Sequence, residues 1–349
     1  MASAGGVRAF TMSAPVLLPP ESWNQPRWRG QRGFYEVYFI KLNLPAQARA
    51  LWLRYTLLAP RVGDPVAELW GFYFDHSNPE RNWGAKQTYP AAHTNWRGGK
   101  LPLQLDAINR LHHTGATGSL TSAGESLCWE LSWTPPLWAV GLFPARWMYR
   151  APFPRTKYLS PGWDLRIEGT VTVHGETLTV SDAPSQQAHL WGTQYAEEWV
   201  WAHCNAFTER DDAVFEALHA TTRLRGRPLA MGMICLKLGN RFYSLRRLRA
   251  CLRMESRSEV GRWHFAGEES EFRIEGEVEA DTSHFLGARY TDPSGDLRWC
   301  HNTKIGSLRL RLLTREGTEW RLDQELSTPN TCAAEWVSRQ QDTHIARWV

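Results

Sequence analysis

The chain has 349 residues, 42% of them hydrophobic and 22% charged, with a formal net charge of +4. This balance is typical of a globular protein with buried cores, and the length favours two domains. The small positive charge is dispersed without a Lys/Arg tract, which argues against a nucleic-acid-binding protein. No apolar run approaches the ~18 residues of a membrane-spanning helix.

Tryptophan is the unusual residue, with 19 copies. This content has two interpretations: the indoles fill ordinary cores, or they line a pocket that holds a large apolar ligand or shelters a carbocation. The six cysteines have no metal-binding spacing, and residues 1–20 show no secretory signal and are predicted to be a disordered tail. We therefore expect free, reduced cysteines and a cytoplasmic protein.

The first half of the chain reads as short strands. Aromatic and β-branched runs predict strands at residues 33–42, 51–58 and 67–75, the first two forming a hairpin, followed by a loop at 76–99. Glu36 and Arg54 each interrupt one of these apolar strands. Either both side chains face solvent, or they form an ion pair inside a barrel, since a buried charge needs a partner.

The second half continues this pattern after a proline-rich crossing at residues 151–163. Its short strands are evenly spaced and separated by turns of two to four residues, which is typical of antiparallel barrels or sandwiches. Helical periodicity is almost absent from the first half. The chain is therefore predicted to be all-β.

One stretch, residues 189–207, carries the strongest functional signal. From Trp199 onward it alternates, so that Trp199, Trp201, His203 and Asn205 share one face of a strand and small residues share the other. Its acidic and basic side chains lie close to indoles in the sequence. Protonation of an alkene requires a desolvated acid, and the resulting cation requires π faces and exclusion of water.

Motifs for other chemistries are absent from the sequence. It contains no GxGxxG, P-loop, GxSxG or HExxH pattern, and no His or acid pair has metal-ligand spacing. We therefore expect neither a cofactor nor a catalytic metal.

The same stretch resembles two related motifs. Trp191-Gly192 followed by 199–207 (WVWAHCNAF) is similar to the tocopherol cyclase pattern, in which Asn-Trp-Gly precedes Trp-x-Trp-x-x-Cys-Asn-x-Phe. His189-Leu190-Trp191-Gly192 resembles the Asp-His-x-Trp-Gly motif of AttH-like proteins and carotenoid 1,2-hydratases. The resemblance implies two lipocalin-like antiparallel β-barrels of the calycin type, packed together, with an apolar ligand cavity near their junction.

With that resemblance, the domain expectation is an N-terminal barrel at residues 21–150, the crossing at 151–163, and a C-terminal barrel at 164–349 that carries the whole motif. The motif acid is missing, because Ala188 stands where the hydratase motif has Asp and Leu190 where the cyclase motif has Asn. Either another acid serves, or no protonation occurs.

The candidate site follows from these expectations. The predicted catalytic residues are Glu198, His203, His189 and Asp75, with Glu197 as a further acid in the same stretch. The predicted substrate-binding residues are Trp191, Trp199, Trp201, Asn205, Trp70, Tyr73, Glu36 and Arg54. Trp70 lies on the opposite strand face from Tyr73 and Asp75, and only one of these faces is expected to join the cavity.

The sequence leaves three interpretations open. The resemblance favours a cofactor-independent enzyme of the cyclase, pericyclase or hydratase type that acts on a large apolar terpenoid or polyene/polyketide substrate. The alternatives are a non-catalytic carrier of an apolar small molecule, or tryptophans that only fill cores. The oligomeric state is left open.

Overall fold

The computed structural model describes residues 14–96 and 103–349, and their strands form two antiparallel sheets. The first sheet has the order β5-β4-β3-β2-β12-β11-β9-β8-β7-β6, with β1 and β10 attached beside β11. Its strands are β1 Val16–Leu18, β2 Phe34–Leu44, β3 Arg49–Ala59, β4 Val66–Asp75, β5 Trp83–Pro90, β6 Leu103–Gln104, β7 Arg110–Leu111, β8 Gly115–Ser122, β9 Glu125–Trp133, β10 Ala139–Gly141, β11 Thr156–Val173 and β12 Glu176–Gly192.

The second sheet has the order β16-β15-β14-β13-β22-β21-β19-β18-β17, with β20 paired to β21. Its strands are β13 Glu198–Cys204, β14 Ala213–Leu224, β15 Arg227–Leu238, β16 Arg241–Ser244, β17 Glu255–Glu259, β18 Arg262–Glu268, β19 Phe272–Glu279, β20 Leu286–Thr291, β21 Leu297–Glu316 and β22 Glu319–Ser338. Helices are short in both halves: α1 Pro20–Trp23, α2 Leu248–Arg253, and 3₁₀ turns at Pro45–Gln47, Pro79–Arg81, Ala91–His93, Arg146–Tyr149 and Thr282–His284.

Both sheets curl into barrels that pack against each other. In the first barrel β5 approaches β8, and in the second α2 bridges β15 and β18. Strands β2, β3 and β4 contact β21 of the other barrel. The prediction of an all-β protein made of two packed, lipocalin-like antiparallel barrels is confirmed.

Burial on two faces explains the continuous apolar runs in the first strands. Every residue of β2 is buried, because one face points into the first barrel and the other packs toward the second. In β3, Leu53 packs with Leu120 and Leu127 inside the first barrel, whereas Trp52 and Arg54 face the second sheet. The junction between the barrels is therefore built like a core.

Strand β13 divides its two faces in the same way. Val200, Ala202 and Cys204 belong to the core of the second barrel. Trp201, on the alternate face, meets Phe39 of the first sheet edge-on at 5.5 Å between ring centroids. The large face of the Trp-rich strand therefore points at the other barrel.

The strands after residue 151 do not all belong to the second barrel, although the sequence predicted this from residue 164 onward. β11 pairs with β9 and β10, and β12 pairs with β2, so residues 156–192 belong to the first sheet. Pro161 does not interrupt β11, because it lies in an irregularity of the pairing between Leu159 and Gly162, where no ladder N–H is required. The chain passes between the sheets after Gly192, so the two parts of the sequence motif lie in different sheets.

Two smaller predictions also differ from the structure. A disordered tail was predicted to reach residue 20, but Val16–Leu18 forms a strand that pairs with β10. The part of that prediction at residues 1–13 lies outside the described residues. The predicted loop at 76–99 contains strand β5, which pairs with β4. Part of that loop, 97–99, also lies outside the described residues.

A bulge at Gly169 bends β11 where it leaves the junction. Gly169 has φ +139°, and a Cβ there would stand 2.0 Å from the Glu130 carbonyl oxygen. Only glycine fits this close approach of two backbones. Gly175, at the tip of the β11–β12 hairpin, also has positive φ (+72°), but no atom lies within 4 Å of its virtual Cβ.

These two glycines give a matched pair. Gly175→Ala should lower the free energy of unfolding by about 1 kcal/mol, the cost of a left-handed alanine. Gly169→Ala adds a backbone clash and should lower it by at least about 3 kcal/mol. Urea denaturation of both variants measures this, and equal losses would contradict the described strand approach.

Candidate functional site

A cavity of about 120 Å³ lies between the two sheets. It is comparable to the apolar core cavities of ~150 Å³ that hold a benzene-sized molecule, so it encloses one ring or a short chain segment of a larger ligand. Its lining residues include Val37, Trp52 and Tyr158 from the first sheet and Trp201, Leu218 and Met231 from the second. An apolar, aromatic cavity of this kind suits a hydrophobic ligand.

Aromatic rings form one wall of this cavity. Trp199 stacks on Tyr290 with ring centroids 6.4 Å apart and planes 12° apart. Tyr195 contacts both, at 5.8 Å from Trp199 and 6.2 Å from Tyr290. Such π faces favour a cationic or aromatic ligand.

A buried carboxyl lies behind the cavity. Glu216 in β14 has no exposed surface, and it accepts hydrogen bonds from Tyr158, Ser160 and Gln186 of the first sheet and from Trp201 of the second. The Ser160 Oγ–Oε2 distance is 2.9 Å, the Gln186 Nε2–Oε1 distance 2.8 Å and the Trp201 Nε1–Oε1 distance 2.9 Å. Tyr158 and Trp201 also line the cavity, so they connect this carboxyl to it.

Burial sets the protonation of this group. Removal from water raises the pKa of the Glu216 carboxyl, although its hydrogen bonds act in the opposite direction. Burial and the neighbouring Glu216 also raise the pKa of Tyr158 well above its usual value. A carboxyl with raised pKa that is hydrogen-bonded to a cavity-lining phenol can supply a proton.

Arg54 is the cation of the cavity wall. It is 5% exposed, donates from Nε to Thr56 Oγ1 at 3.0 Å and from Nη2 to the Tyr195 hydroxyl at 3.1 Å, and lines the cavity. The ring of Tyr290 lies over the guanidinium, with 3.7 Å from Cζ to the ring centroid. Both alternatives for Glu36 and Arg54 are wrong: neither residue faces solvent, and they do not form an ion pair, because Arg54 opposes Phe39 across the sheet and Glu36 points the other way.

A lysine and a glutamate lie next to this wall. Lys304 is fully buried, with Nζ 3.2 Å from Glu335 Oε1, and it lies over the rings of Trp52 and Trp201 at 5.3 and 5.2 Å. Burial lowers the pKa of Lys304, while Glu335 raises it. The charges of Lys304 and Glu335 therefore compensate each other within the protein.

Of the predicted residues in β13, Trp199 and Trp201 line the cavity, whereas His203 does not. His203 is fully buried, with Nε2 2.9 Å from the Trp163 carbonyl oxygen. Burial and the nearby Lys41 lower the pKa of His203 well below its usual value. It is a neutral imidazole between the sheets.

Asn205 also serves the junction. Its Oδ1 accepts from Lys41 Nζ at 3.0 Å, and its Nδ2 donates to the Ser185 carbonyl at 3.0 Å. Lys41 also donates to Asn43 at 3.0 Å, and burial lowers the pKa of Lys41 to about 8. This amide network joins the two sheets outside the cavity lining.

His189 and Trp191 lie on the other face of the first sheet. His189 Nε2 is 2.8 Å from Glu36 Oε1, and both side chains are fully buried. Glu36 also accepts from the backbone N–H groups of Arg27 and Trp28 and, at 2.9 Å, from the Trp96 indole. This carboxylate holds the N-terminal segment in place, and neither it nor Trp191 reaches the cavity.

Trp70 lies on one face of β4, and Tyr73 and Asp75 lie on the other, as the alternation of side chains along a strand predicted. Trp70 faces the junction, edge-on to Tyr290 at 6.1 Å, whereas Tyr73 and Asp75 lie on the opposite face. Asp75 accepts from the backbone N–H groups of Ser77 and Asn78 and pairs with Arg49 at 3.4 Å. These contacts cap a turn.

Neither acid next to Trp199 lies in a desolvated site. Glu198 is exposed, and Glu197 forms a 2.8 Å ion pair with Arg339 near the surface. Glu198 therefore does not provide the buried acid that alkene protonation requires. Glu216 is the fully buried acid beside the cavity, and its one sequence signal was a charge inside an apolar strand, as for Glu36 and Arg54.

The described residues carry no group of three His, Cys, Asp or Glu side chains placed to hold a metal ion. All six cysteines are free. Within residues 14–96 and 103–349, no helix is long and apolar enough to cross a membrane.

The raised pKa of Glu216 predicts a pH-dependent stability. A folded-state pKa above the unfolded value makes a contribution that is complete below the unfolded pKa and lost as pH rises through the folded pKa, at ~1.4 kcal/mol per unit of separation. The free energy of unfolding of the wild type, relative to Glu216→Gln, should therefore fall as pH rises above 4.5, the ordinary value. The neutral Gln can accept from Trp201 and donate to Ser160.

Thermal or urea unfolding at several pH values between 4 and 8 tests this. The exposed Glu198→Gln is the control and should change stability by less than about 0.5 kcal/mol throughout. A wild-type advantage that grows with pH would contradict the assignment.

Comparisons with known proteins agree with this fold. Residues 105–336 match the family described as Tocopherol cyclase-like. The chain is 28% identical over 307 residues to the uncharacterised protein Rv0493c of Mycobacterium tuberculosis (strain H37Rv), covering 82% of this chain and 84% of that one.

Solved structures share the architecture at low sequence identity. The AttH-like protein NE1406 of Nitrosomonas europaea superposes with a TM-score of 0.56 at 12% identity, over 96% of this chain and 99% of that one. Kievitone hydratase of Nectria haematococca gives 0.51 at 10% identity, over 96% and 95%. CghA with Sch210972 gives 0.52 at 8% identity, over 88% and 89%. With two packed barrels, a cavity at their junction and a family match over most of its length, the chain belongs to the Tocopherol cyclase-like family.

Proposed function

We propose that the protein is a cofactor-independent biosynthetic enzyme of the cyclase or hydratase type, which protonates a terpenoid or polyene substrate in the cavity between the barrels. The observation that carries the proposal is the fully buried Glu216 carboxyl, hydrogen-bonded to the cavity-lining Tyr158. General acid catalysis needs a protonated group near the reacting atom, and burial raises the pKa of Glu216 and so favours its protonated form.

The proposed relay uses the Tyr158–Glu216 hydrogen bond in the reverse direction, with the protonated carboxyl as donor and the phenol oxygen as acceptor. The Tyr158 hydroxyl gives its proton to an alkene carbon of the substrate while the Glu216 carboxyl returns one to the phenol oxygen. A C–H bond forms, the alkene π bond breaks, and Glu216 becomes a carboxylate. Attack by a substrate hydroxyl closes a ring, whereas attack by water gives hydration. In either case the oxygen loses a proton that returns to Glu216 through Tyr158.

The aromatic wall supports the cationic intermediate of this sequence. The faces of Trp199, Trp201 and Tyr195 line the same cavity as Tyr158, and indole faces attract cations. The lining is predominantly apolar, which limits premature capture by water. Shape and proximity then select the attacking group.

Family membership supports this proposal. One structural neighbour is called a hydratase, and the family is described as cyclase-like. The acid that the sequence motif places before the histidine is Ala188 here, so the chain would draw its proton from the second sheet instead.

That alanine also favours a second candidate, a non-catalytic carrier of an apolar small molecule. Ala188 is fully buried at the junction. A carrier would use the same cavity but return its ligand unchanged, which separates the two functions experimentally.

Turnover in D₂O tests the acid. Purified protein is incubated with prenylated hydroquinones and acyclic polyenes, and products are examined by mass spectrometry for one deuterium on carbon. Glu216→Gln should lower kcat by roughly 100- to 10,000-fold, the range of general acid catalysis. Tyr158→Phe should have a similar effect, and Glu198→Gln should leave kcat unchanged.

Two outcomes contradict the proposal. Turnover that persists in Glu216→Gln would show that Glu216 is not the general acid. Ligand that binds and is recovered without deuterium or product across the substrate panel would favour the carrier.

Cavity occupancy has its own test. Ala220 in β14 lines the cavity, so Ala220→Trp should fill it and weaken binding of an apolar ligand at least tenfold, measured by quenching of Trp fluorescence. Ala230→Trp, exposed on the neighbouring strand β15, is the matched control. Equal binding by both variants would place the ligand outside this cavity, and the tryptophans there would only fill a core.

A further inference from the structure

The junction between the barrels contains more positive than negative charge beside the cavity. Arg54, Lys41 and Lys304 are all buried there. Of these three cations, only Lys304 has a carboxylate of the described residues within ion-pair distance, Glu335 at 3.2 Å. Lys41 is held by neutral amide oxygens. Arg54 and Glu335 both line the cavity, but Glu335 is paired with Lys304, so Arg54 carries the cavity charge that has no ion-pair partner.

The guanidinium is compensated incompletely. It makes two hydrogen bonds, to Thr56 and Tyr195, out of a capacity of five N–H donors. Its remaining support comes from the rings of Tyr290 at 3.7 Å, Trp52 at 5.9 Å and Trp70 at 6.0 Å. The Glu335 carboxylate lies beyond ion-pair distance but also raises the pKa of Arg54. An arginine stays charged at any physiological pH, and a buried charge without a counter-ion is unfavourable.

The hydroxyl of a second residue beside the guanidinium has no oxygen or nitrogen partner. The buried Tyr290 hydroxyl has only the Cys300 thiol, a weak partner, as a hydrogen-bonding neighbour within the described part of the chain. Tyr290 is 2% exposed and lines the cavity. Unpaired donors on a ligand cavity commonly mark the position of a ligand oxygen.

We propose that the cavity binds an amphiphilic substrate whose carboxylate docks on Arg54, with Tyr290 as a second donor. This inference rests on the proposed function of the cavity and deepens it by naming the polar group of the substrate. A planar guanidinium matches a carboxylate in geometry and charge. The apolar part of the ligand then extends along the aromatic wall.

The register places this anchor away from the proposed acid. Tyr158 in β11 pairs with Leu190 in β12, which pairs with Val37 in β2, whose neighbour in β3 is Thr56, two residues from Arg54. Three strand spacings of ~4.8 Å and two residues of ~3.3 Å along β3 separate the Tyr158 and Arg54 backbones by at most roughly 16 Å. A substrate held at Arg54 therefore presents a carbon several bonds from its carboxylate to Tyr158.

Charge balance also connects the anchor to the chemistry. A cationic intermediate next to an uncompensated guanidinium would be repelled, because the low-dielectric junction screens charge poorly. A carboxylate on Arg54 neutralises that charge before protonation. The anion thus stabilises the intermediate as well as positioning the substrate.

Binding of matched probes tests the inference on the full-length protein. Octanoate and 1-octanol have the same chain and differ in charge, and calorimetry at pH 7.5 gives both Kd values without any turnover. The wild type should bind octanoate at least 30-fold more tightly. Arg54→Met should reduce that preference to within threefold while changing the Kd of octanol by less than threefold. Arg54→Lys should retain part of the preference.

The result that overturns the inference is a wild-type preference below threefold, or a preference that Arg54→Met retains. If Arg54→Met does not fold, the wild-type ratio and Tyr290→Phe, which should weaken octanoate but not octanol, decide the matter. Glu216→Gln should keep the carboxylate preference although its turnover is lost. Octanol binding without a carboxylate preference refutes the anchor alone, whereas wild-type protein that binds neither probe refutes both the anchor and the cavity as a ligand site.

Discussion

The junction depends on the hydrogen bonds that the buried Glu216 carboxyl accepts from both sheets. A carboxyl without exposed surface is tolerated only when hydrogen bonds replace its water. Here the donors come from both sheets, with Ser160 and Gln186 on one side and Trp201 on the other. The two barrels are therefore held in one relative position, and that position leaves a cavity between their faces.

The same network orients the aromatic wall. The Trp201 indole donates to Glu216 and so cannot rotate freely, which fixes its edge-on contact with Phe39. Trp199 and Tyr290 are positioned in turn by their stacking with each other. A cavity with rigid walls preorganises its ligand, since little side-chain freedom is lost on binding.

Two buried carboxyls illustrate how surroundings decide the role of one residue type. Glu36 accepts two backbone N–H groups, an indole and His189 inside the first barrel, and it contacts no cavity. Glu216 is bonded to a phenol that borders open space. The first arrangement closes a segment of the fold, while the second leaves a route for a proton.

The sequence predicted the architecture better than the site. Alternation in β13 correctly placed Trp199 and Trp201 on one face, because a period of two needs only local information. It could not say which sheet that face meets, and so His203 and Asn205, on the same face, were expected in a cavity that they do not line. The choice between Trp70 and Tyr73 likewise depended on packing against the other barrel. Glu216 was missed because a single acid inside a strand looks the same whether it is exposed or buried.

The crossing at residues 151–163 shows a related limit. Three prolines suggested an interruption, but a bulge accommodates Pro161 within β11. Local composition therefore marked an irregular strand rather than a boundary. The pairing of β12 with β2 joins residues more than a hundred positions apart, which no local pattern reveals.

That long-range pairing has a consequence for biosynthesis on the ribosome. The first barrel receives β11 and β12 only after residue 192 has been made, and β13 meets its neighbour β22 only when residue 338 is available. Until then the edges of β2 and β13 are unpaired and open to association with other chains. The two faces of the cavity therefore come together only after β22 has been synthesised.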